Sequence, residues 1–412
     1  MIQVKSHMRK ILERAFDSLN VRGFRFMWLG DLTLSIAEFM EIVILSWYVL
    51  GETESPLILG VFAALRFTGT VVAPFFGVIV DRLGRRHIYI FARSSFVVLS
   101  CSVLVLTIFD LLNVIAVLVV AALVGLSRSL DMIVRQSVLP VIVSSSQLQN
   151  SVALLRTGRD ITQIIGPVLG GVLLEAIGIG KSYIFIIIFH LLSLMFVFLI
   201  PGVPNTTIKT AQSIFENLKG GLSYVRVNPF LFGLLVVAFI VNLTAFPLNN
   251  TLLAVIARQV MEIDAAGLGW LMGTYSAGAL LGSLIIGYFS TMEKAGKAMI
   301  IGSILWHIGI LIMAYMQWFF ISLPVLFFIG ISQSFAMVTM AMMLLKYTSE
   351  EMRGRVLGLR QLAVYGLPVG VLISGFIAEN ADASLALIFN GILGLFILVL
   401  AIFKWPEMLH KR

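Results

Sequence analysis

The chain has 412 residues, of which 59% are hydrophobic and only 12% are charged. Soluble globular proteins carry about 45–50% apolar and about 25% charged residues, so this composition excludes a soluble protein and indicates one that crosses the membrane repeatedly. The formal net charge of +8 would be typical of a protein that binds nucleic acid. Membrane proteins acquire positive charge through their cytoplasmic loops, however, so no nucleic-acid partner is expected.

Several classes of functional site are excluded by their residues. The single cysteine, Cys101, lies in an apolar segment, which rules out a disulfide framework and a cysteine-based metal site. Gly296-Lys297 is followed by Ala298 and lacks the upstream glycine-rich loop, so there is no Walker-type ATP site. No nucleophile–base set or metal cluster is evident. We therefore expect neither an enzyme nor a bound cofactor or metal.

The apolar segments predict twelve transmembrane helices, because a helix needs about 20 apolar residues to cross the hydrocarbon layer. In chain order the predicted spans are 26–50, 57–80, 88–109, 112–134, 153–178, 182–201, 230–257, 267–290, 298–316, 319–345, 356–379 and 383–404. Only helices are expected, since lipid offers no hydrogen-bond partner to an open backbone.

Loop charges predict that both termini are cytoplasmic. This orientation leaves only Lys181 and Arg258 as basic residues in the outer loops, which are otherwise acidic. The predicted organisation is a cytoplasmic N-terminal segment, two six-helix bundles joined by a cytoplasmic linker, and a cytoplasmic tail. Their ranges are 1–22, 23–201, 202–229, 230–404 and 405–412. Apolar spacing predicts an amphipathic helix in the linker, and either an amphipathic helix or a solvated tail over 7–20.

The two halves repeat one another. Each has a short basic loop between its second and third spans, and each has a polar joint between its fourth and fifth spans, at 140–151 and 347–355. Two six-span repeats separated by a long linker are typical of an alternating-access transporter.

The first basic loop carries the sequence GxxxDRxGRR, with its defined residues at Gly77, Asp81, Arg82, Gly84, Arg85 and Arg86. This string, at the inner end of span two in a chain of twelve spans, resembles the signature of the major facilitator superfamily. Gly166, Pro167, Gly170 and Gly171 in span five are similar to the tail of that superfamily's antiporter motif, which marks exporters. Ala153 and Thr162 stand where the longer motif has glycines.

Together with Arg353-Gly354-Arg355-Val356, these segments look most like the branch that contains macrolide-efflux proteins and the enterobactin exporter. The resemblance implies a monomer in the cell (cytoplasmic or inner) membrane that moves a small-molecule substrate. It also implies that Asp81 faces the start of span eleven and holds an inner gate shut, with added contacts from the loop arginines. The alternative is an ordinary positive-inside loop. The span-five glycines have two possible roles: they could allow a bend that shapes the cavity, or they could simply allow tight helix packing.

Span one contains three acids, Asp31, Glu38 and Glu41. Charges at membrane depth are costly and rarely face lipid, so each is a functional candidate. Asp31 and Glu38 are about two turns apart and share one face, whereas Glu41 lies about 60° further round the helix. We expect this stripe to face the central cavity.

Depth along the helices suggests partners for two of these acids. At about 1.5 Å per residue, Glu38 lies level with Arg66, and Asp31 lies level with Arg128. Asp131 is an alternative partner for Arg128. If both pairs form, Glu41 is left without an arginine and could carry a proton at neutral pH. Glu38 and Glu41 are therefore the proton-coupling candidates, with Asp31 third. Alternatively, the acids only neutralise arginines for packing.

The second half has almost no acids at membrane depth but has polar side chains on the spans that line the cavity in the resembled superfamily. The substrate-cavity candidates are Asn242, Asn249, Tyr275, Gln333, Arg360 and Tyr365. Each could equally form an interhelical hydrogen bond. His190 and His307, on spans six and nine, are interpreted as packing or interface residues and not as a metal pair.

These observations lead to three hypotheses of function. The first is a secondary active transporter that exports a small amphiphilic drug or antibiotic by alternating access, in exchange for protons. The second is a dedicated exporter of a siderophore or related metabolite, and the third is a non-transporting membrane sensor or scaffold. A cationic drug would need an unpaired acid, whereas an anionic siderophore would need accessible arginines. The nearly balanced charges leave that choice open.

Overall fold

The computed structural model describes residues 16–201, 214–288 and 294–410, and the regular structure in these ranges is helical, with no strand. Residues 1–15, 202–213, 289–293 and 411–412 lie outside the described residues. Most of the segment 7–20 is therefore not described, apart from a short 3₁₀ turn at Asp17–Asn20.

The helices of the first half follow the predicted spans closely, and the span numbers are kept as their names. They are Arg22–Thr53 for span one, Pro56–Leu65 and Thr68–Leu83 for span two, Arg85–Ile108 for span three and Val114–Ile142 for span four. Leu148–Phe198 covers spans five and six.

The second half begins with the linker helix Ile214–Val227 and ends with a short helix, Glu407–His410. Span seven begins with Pro229–Thr244 and continues through Leu248–Leu252, Leu253–Val255 and Ile256–Val260, two of which are π-helical. Spans eight, nine and ten are Ala265–Tyr288, Ala295–Met313 and Phe319–Tyr347. Span eleven comprises Arg353–Ala363 and Gly366–Asn380, and span twelve is Ala383–Lys404.

Ten helical stretches among the described residues are long and apolar enough to cross a membrane. One of them, Leu148–Phe198, is interrupted at Gly178, whose φ of 75° and ψ of 173° lie outside the helical range. A side chain would be strained at that positive φ, so glycine permits the chain to turn there. Span two is broken as well, between Leu65 and Thr68.

Polar residues at the membrane surface define where several helices begin. The side chains of Asn113, Asn228 and Asp382 accept hydrogen bonds from the backbone amides of Ala116, Leu231 and Leu385, at 3.0, 3.3 and 2.7 Å respectively. Each cap satisfies one of the amides that have no partner in the first turn of a helix. The predicted starts of spans four, seven and twelve agree with these caps to within two residues.

The described residues form two compact units. Unit 1 comprises 16–42, 66–166 and 176–201, and unit 2 comprises 43–65, 167–175, 214–288 and 294–410. Unit 2 thus includes parts of spans one, two and five as well as the second half of the chain. The division into bundles 23–201 and 230–404 remains a prediction.

Unit 1 has an apolar core between spans one, three, four and six. Phe24, Met27, Tyr89, Val134 and Val197 belong to this core and are almost fully buried. The cluster lies next to Asp31 of span one, between the ends of these helices that include Phe24, Tyr89 and Val197. The packing of the core therefore positions the Asp31 side chain.

Within unit 2, parts of spans one and two pack closely against spans seven and eleven. A Cβ atom on Gly60 would lie 2.7 Å from the carbonyl oxygen of Val371, so the two backbones are nearly in contact. The Arg258 guanidinium lies 4.9 Å from the centre of the Trp47 ring and donates a long hydrogen bond of 3.4 Å to the Trp47 carbonyl. Small residues allow this approach, as is common between membrane helices.

Candidate functional site

A fully buried arginine, Arg93, links four helices of unit 1. Its Nε donates to Asp131 Oδ1 at 2.6 Å, and its Nη2 donates to Asp31 Oδ1 at 2.5 Å. Its Nη1 donates to the Gly30 carbonyl and to Ser193 Oγ. Spans one, three, four and six therefore meet at a single guanidinium, whose planar fork suits two carboxylates at once.

Arg135 completes this cluster by donating from Nη1 to Asp31 Oδ2 at 2.8 Å. The cluster then holds two arginines and two aspartates, and both oxygens of Asp31 accept short hydrogen bonds from cations. A buried ion pair is tolerated when its charges balance and its polar atoms are satisfied. The cluster consequently holds its helices together and is not suited to gain or lose a proton.

Glu38 has a different environment, between two arginines that do not form hydrogen bonds with it. Its Oε1 lies 3.9 Å from Arg128 Nε, and its Oε2 lies 3.8 Å from Arg159 Nη1. Glu38 Oε1 is buried and has no hydrogen-bond partner among the described residues. The side chains of Arg128 and Arg159 are 36% and 30% exposed, whereas that of Glu38 is 4% exposed.

A small recess opens beside these charges. Its volume is about 180 Å³, measured to its open mouth, and it is lined by Trp28, Asp31, Leu32, Ser35, Arg135, Leu155, Gly158 and Arg159. Binding sites for drug-sized ligands occupy about 300–1,000 Å³, so this recess alone cannot enclose such a compound. Its interior has no room for a water molecule, so a ligand group could contact only its rim.

Glu41 is almost fully buried, and a tyrosine and an arginine lie beside it. The Tyr183 hydroxyl donates to Glu41 Oε1 at 3.2 Å, and Arg66 Nη1 lies 3.9 Å from Glu41 Oε2. Glu41 Oε2 has no hydrogen-bond partner among the described residues. This carboxylate is therefore held by one hydrogen bond and one long ion pair, which is far weaker than the anchoring of Asp31.

The predicted pairing of these charges was wrong. Arg66 lies against Glu41, not Glu38, and Arg128 lies against Glu38, not Asp31. Asp131, the alternative partner for Arg128, binds Arg93. Depth alone does not specify the face of a helix, and Glu38 and Glu41 differ by about 60° around span one. Glu41 is consequently not the acid without an arginine.

Sequence reasoning also missed four members of the site, Arg93, Arg135, Arg159 and Tyr183. Arg93 and Arg159 lie inside the predicted spans three and five, so their depth alone marked them as candidates. Arg135 lies just past the predicted end of span four, which extends to Ile142 in the structure. Tyr183 has no such signal, because a tyrosine near a membrane surface is common.

The inner-gate motif is only partly described. The side chains of Asp81 and Arg82 lie outside the described residues, and Gly77 is described only as part of the helix Thr68–Leu83, so the gate role of Asp81 stays a prediction. Gly84 separates two helices at a φ of 86°, and Arg85 is buried. Arg86 donates to the carbonyls of Phe198 and Ile200, both at 3.2 Å. It therefore satisfies carbonyl groups at the end of span six, where a cation is favoured.

The glycines of the span-five motif lie at close helix contacts. A Cβ atom on Gly166 would lie 2.5 Å from Phe39 Cβ, within unit 1. One on Gly171 would collide with the carbonyl oxygen of Ala265, within unit 2. One on Gly269 of span eight would meet the carbonyl oxygen of Pro167 at 2.5 Å. Gly170 is buried. The motif thus allows span five to pack tightly against spans one and eight.

The cavity candidates of the second half fall into two groups. The Asn242 side chain donates to the Ala238 carbonyl of its own helix at 2.8 Å, which makes it a local contact. Asn249 Oδ1 and Gln333 Oε1 are buried acceptors without a donor among the described residues. The Tyr275 side chain is 2% exposed. A ligand or water could satisfy such acceptors, so Asn249 and Gln333 stay candidates, together with Tyr275, Arg360 and Tyr365.

The two span histidines form internal contacts. His190 Nδ1 and Ser100 Oγ are 2.8 Å apart, and His307 Nε2 lies 2.8 Å from Thr244 Oγ1. Both rings are almost fully buried. Their contacts agree with packing roles.

Comparison with known proteins gives several relatives whose names refer to efflux. The chain is 21% identical over 379 residues to macrolide efflux protein A of Streptococcus pyogenes, covering 90% of this chain and 93% of that protein. It is 23% identical to the multidrug efflux pump Tap of Mycolicibacterium fortuitum, covering 85% and 88%. It is 22% identical to the enterobactin exporter EntS of Shigella boydii, covering 81% and 80%.

Solved structures show the same fold at low identity. A nucleoside transporter, NupG, matches with a TM-score of 0.70 at 14% identity, covering 93% of this chain and 99% of that one. A bacterial homologue of the human lysosomal transporter Spinster matches with a TM-score of 0.71 at 12% identity, covering 94% and 96%. The family described as "transmembrane secretion effector" matches residues 14–410. The chain is therefore a membrane protein of that family within the major facilitator superfamily of transporters.

Proposed function

We propose that this protein exports a small amphiphilic compound, a drug or antibiotic, by alternating access and in exchange for protons. The transporter lies in the cell membrane as a monomer, with both termini cytoplasmic. The count of twelve spans treats the two parts of Leu148–Phe198 as separate spans. It also treats the two helices of the broken span two as one crossing. The efflux named for relatives at 21–23% identity supports the direction of transport.

The observation that carries the proposal is the environment of Glu41. A proton carrier must be stable in both its charged and neutral forms, so that each form favours a different conformation. Glu41 is buried and keeps one oxygen without a hydrogen bond among the described residues. Its protonation therefore disrupts few contacts, unlike that of Asp31, which would lose short hydrogen bonds from two arginines. Glu41 and then Glu38 are the coupling residues, and Asp31 is the weaker candidate.

The packing inside unit 2 supports alternating access. Spans two and eleven approach each other at Gly60 and Val371, and spans five and eight approach at Gly171 and Ala265. Contacts with so little side-chain bulk can separate and reform without exposing large apolar groups. In the proposed orientation these pairs lie toward the outer surface and close the outward side of the pathway.

A second candidate is a dedicated exporter of a siderophore or related anionic metabolite. The observation that favours it is the exposure of Arg128 and Arg159, because an anionic compound needs cations that it can reach.

The test measures dye accumulation in an efflux-deficient bacterial host. Cells expressing the wild type should accumulate less ethidium, or less carboxyfluorescein loaded as its neutral diacetate, and a protonophore should abolish the difference. Glu41→Gln should lose export by at least about tenfold, because it keeps the shape but cannot exchange a proton. Glu175→Gln is the matched control, since Glu175 is an exposed acid on the same half of the chain.

Each result decides one part of the proposal. Export that survives the protonophore contradicts proton exchange. Full export by Glu41→Gln contradicts the role of Glu41. If expressed wild-type protein leaves both dyes and a panel of macrolides unchanged, multidrug export is wrong.

A further inference from the structure

We propose that the exported compound carries an anionic group, a carboxylate or a similar oxyanion, and that Arg128 and Arg159 bind it. This inference rests on the proposed export function and specifies its substrate. The anionic group contacts the exposed edges of the two guanidinium groups, at the rim of the recess on the Arg159 side, while the rest of the molecule binds elsewhere.

The first argument is exposure. In the pairs that Glu38 forms, the arginines are 36% and 30% exposed and the acid is 4% exposed. The Arg135 side chain is likewise more exposed than that of its partner Asp31, at 22% against 7%. A compound that enters this part of unit 1 therefore meets guanidinium groups, and the carboxylates lie behind them.

The second argument is charge balance. Asp31 and Asp131 balance Arg93 and Arg135, and Glu41 balances Arg66. Glu38 lies between two further cations, Arg128 and Arg159. Asp160 interacts electrostatically with both Arg156 and Arg159, so it counts as a second acid beside these cations. Arg128, Arg156 and Arg159 thus face two acids, Glu38 and Asp160, which leaves an excess of one positive charge in this group.

The third argument is unused hydrogen-bonding capacity. Neither the Arg128 nor the Arg159 guanidinium donates a hydrogen bond to any residue that the structure describes, and the Arg159 guanidinium lies 5.3 Å from the centre of the Phe39 ring. Guanidinium groups bind carboxylates through two parallel hydrogen bonds. An oxyanion between the two arginines would satisfy donors that Glu38, at 3.8–3.9 Å, leaves unsatisfied.

The test compares how fast an anionic and a cationic thiol reagent react with a cysteine placed beside Arg159. Leu155 is half-buried, lines the recess and lies one turn before Arg159. Leu155→Cys is made together with Cys101→Ser, so that the new thiol is the only one. The anionic reagent sulfonatoethyl methanethiosulfonate and the cationic reagent trimethylammonioethyl methanethiosulfonate are compared, each relative to its rate with a small free thiol. After this normalisation, the anionic reagent should react with the new thiol about fivefold faster than the cationic reagent.

Two variants, one at Arg159 and one at a distant cation, then locate the source of that preference. Arg159→Gln should lower the ratio of the two rates by about fivefold, because it removes one charge beside the thiol. Lys181→Gln is the control and should leave the ratio within about twofold, since Lys181 is exposed and lies past the break in the helix at Gly178. A ratio at or below one, no effect of Arg159→Gln, or a thiol that reacts with neither reagent would overturn the proposal.

A matched pair of ligands tests binding itself. Naphthalene-2-carboxylate and 2-naphthylmethylammonium share one ring system and differ in charge. The carboxylate should slow labelling of Leu155→Cys by the neutral reagent N-ethylmaleimide at a concentration at least about tenfold lower than the ammonium compound. Arg159→Gln should remove this difference. Equal protection, or better protection by the ammonium compound, contradicts an anion site even if dye export is observed.

Discussion

At the scale of single residues, two kinds of buried charge coexist within unit 1. Arg93 is fully hydrogen-bonded to Asp31, Asp131, Gly30 and Ser193, and its contacts leave little freedom. Glu41, on the same helix as Asp31, keeps one oxygen without a hydrogen bond among the described residues. A network that is fully satisfied gives rigidity, whereas a weakly held acid can change its charge. The structural role is therefore assigned to Arg93 and its partners, and the proton-coupling role to Glu41.

The first residue-scale prediction concerns Arg93. Arg93→Met should lower the free energy of unfolding by about 3–5 kcal/mol, because it leaves two aspartates buried without a cation. Thermal unfolding of the detergent-solubilised protein measures this loss. Adding Asp31→Asn and Asp131→Asn to Arg93→Met should restore part of the stability, since the unpaired charges are then removed. Arg156→Met is the control, and an equal loss there would contradict the argument.

At the scale of helices, small residues determine how closely the spans approach. Gly171 faces the carbonyl oxygen of Ala265, and Gly60 faces that of Val371, so spans five and two each contact a second-half helix through the backbone. Gly358 differs, because nothing lies within 4 Å of the position of its Cβ atom. The same chemical change at two glycines should consequently have opposite effects.

Gly171→Ala should open the packed region and lower export by at least about tenfold, because the added methyl group collides with a carbonyl. Gly358→Ala should keep export and slightly stabilise its helix. Labelling of Ala265→Cys by a membrane-impermeant maleimide, with Cys101→Ser, measures the opening, since Ala265 is fully buried and faces Gly171. Labelling that is no faster with Gly171→Ala than without it would contradict the role of this contact.

At the scale of the whole molecule, the proposals give transport a definite electrical sign. An anion that leaves and a proton that enters both move positive charge inward. The inside-negative membrane potential therefore favours both movements, by about 2.3 kcal/mol per charge at 100 mV. An anion exporter would thus use the potential as well as the proton gradient.

This sign can be measured in proteoliposomes loaded with carboxyfluorescein. A potassium diffusion potential set by valinomycin, negative inside, should accelerate efflux of the dye from correctly oriented protein by several-fold. Reversing the potassium gradient should slow it. Liposomes with Glu41→Gln protein control for leakage. Efflux that is equal under both potentials contradicts export of an anion.

Much of the fold could be predicted from the sequence because apolar length and loop charge are local properties. The ends of most predicted spans lie within a few residues of the observed helices, and the linker helix Ile214–Val227 occurs where the apolar spacing predicted it. The exceptions are breaks within helices, as at Leu65–Thr68. Such breaks depend on neighbouring helices, which a single segment does not reveal.

The candidate site was only partly predictable. The three acids of span one were recognised from their cost at membrane depth, but their partners were not. Arg66 and Arg128 were assigned to the wrong acids, and Arg93, Arg135 and Arg159 were not considered. Depth follows from position in the chain, whereas the face that meets a partner depends on the rotation of each helix in the bundle.

The sequence by itself determined that this protein is a multi-pass membrane protein of helices with charges at membrane depth, because a bilayer constrains composition and segment length so strongly. Only the tertiary structure decided which charges meet. It joined Asp31 to Arg93 and Arg135, and it left Glu41 held by one hydrogen bond. It also placed Arg128 and Arg159 in front of Glu38. Ion pairing depends on distances of a few ångströms between helices far apart in the chain, and only packing sets those distances.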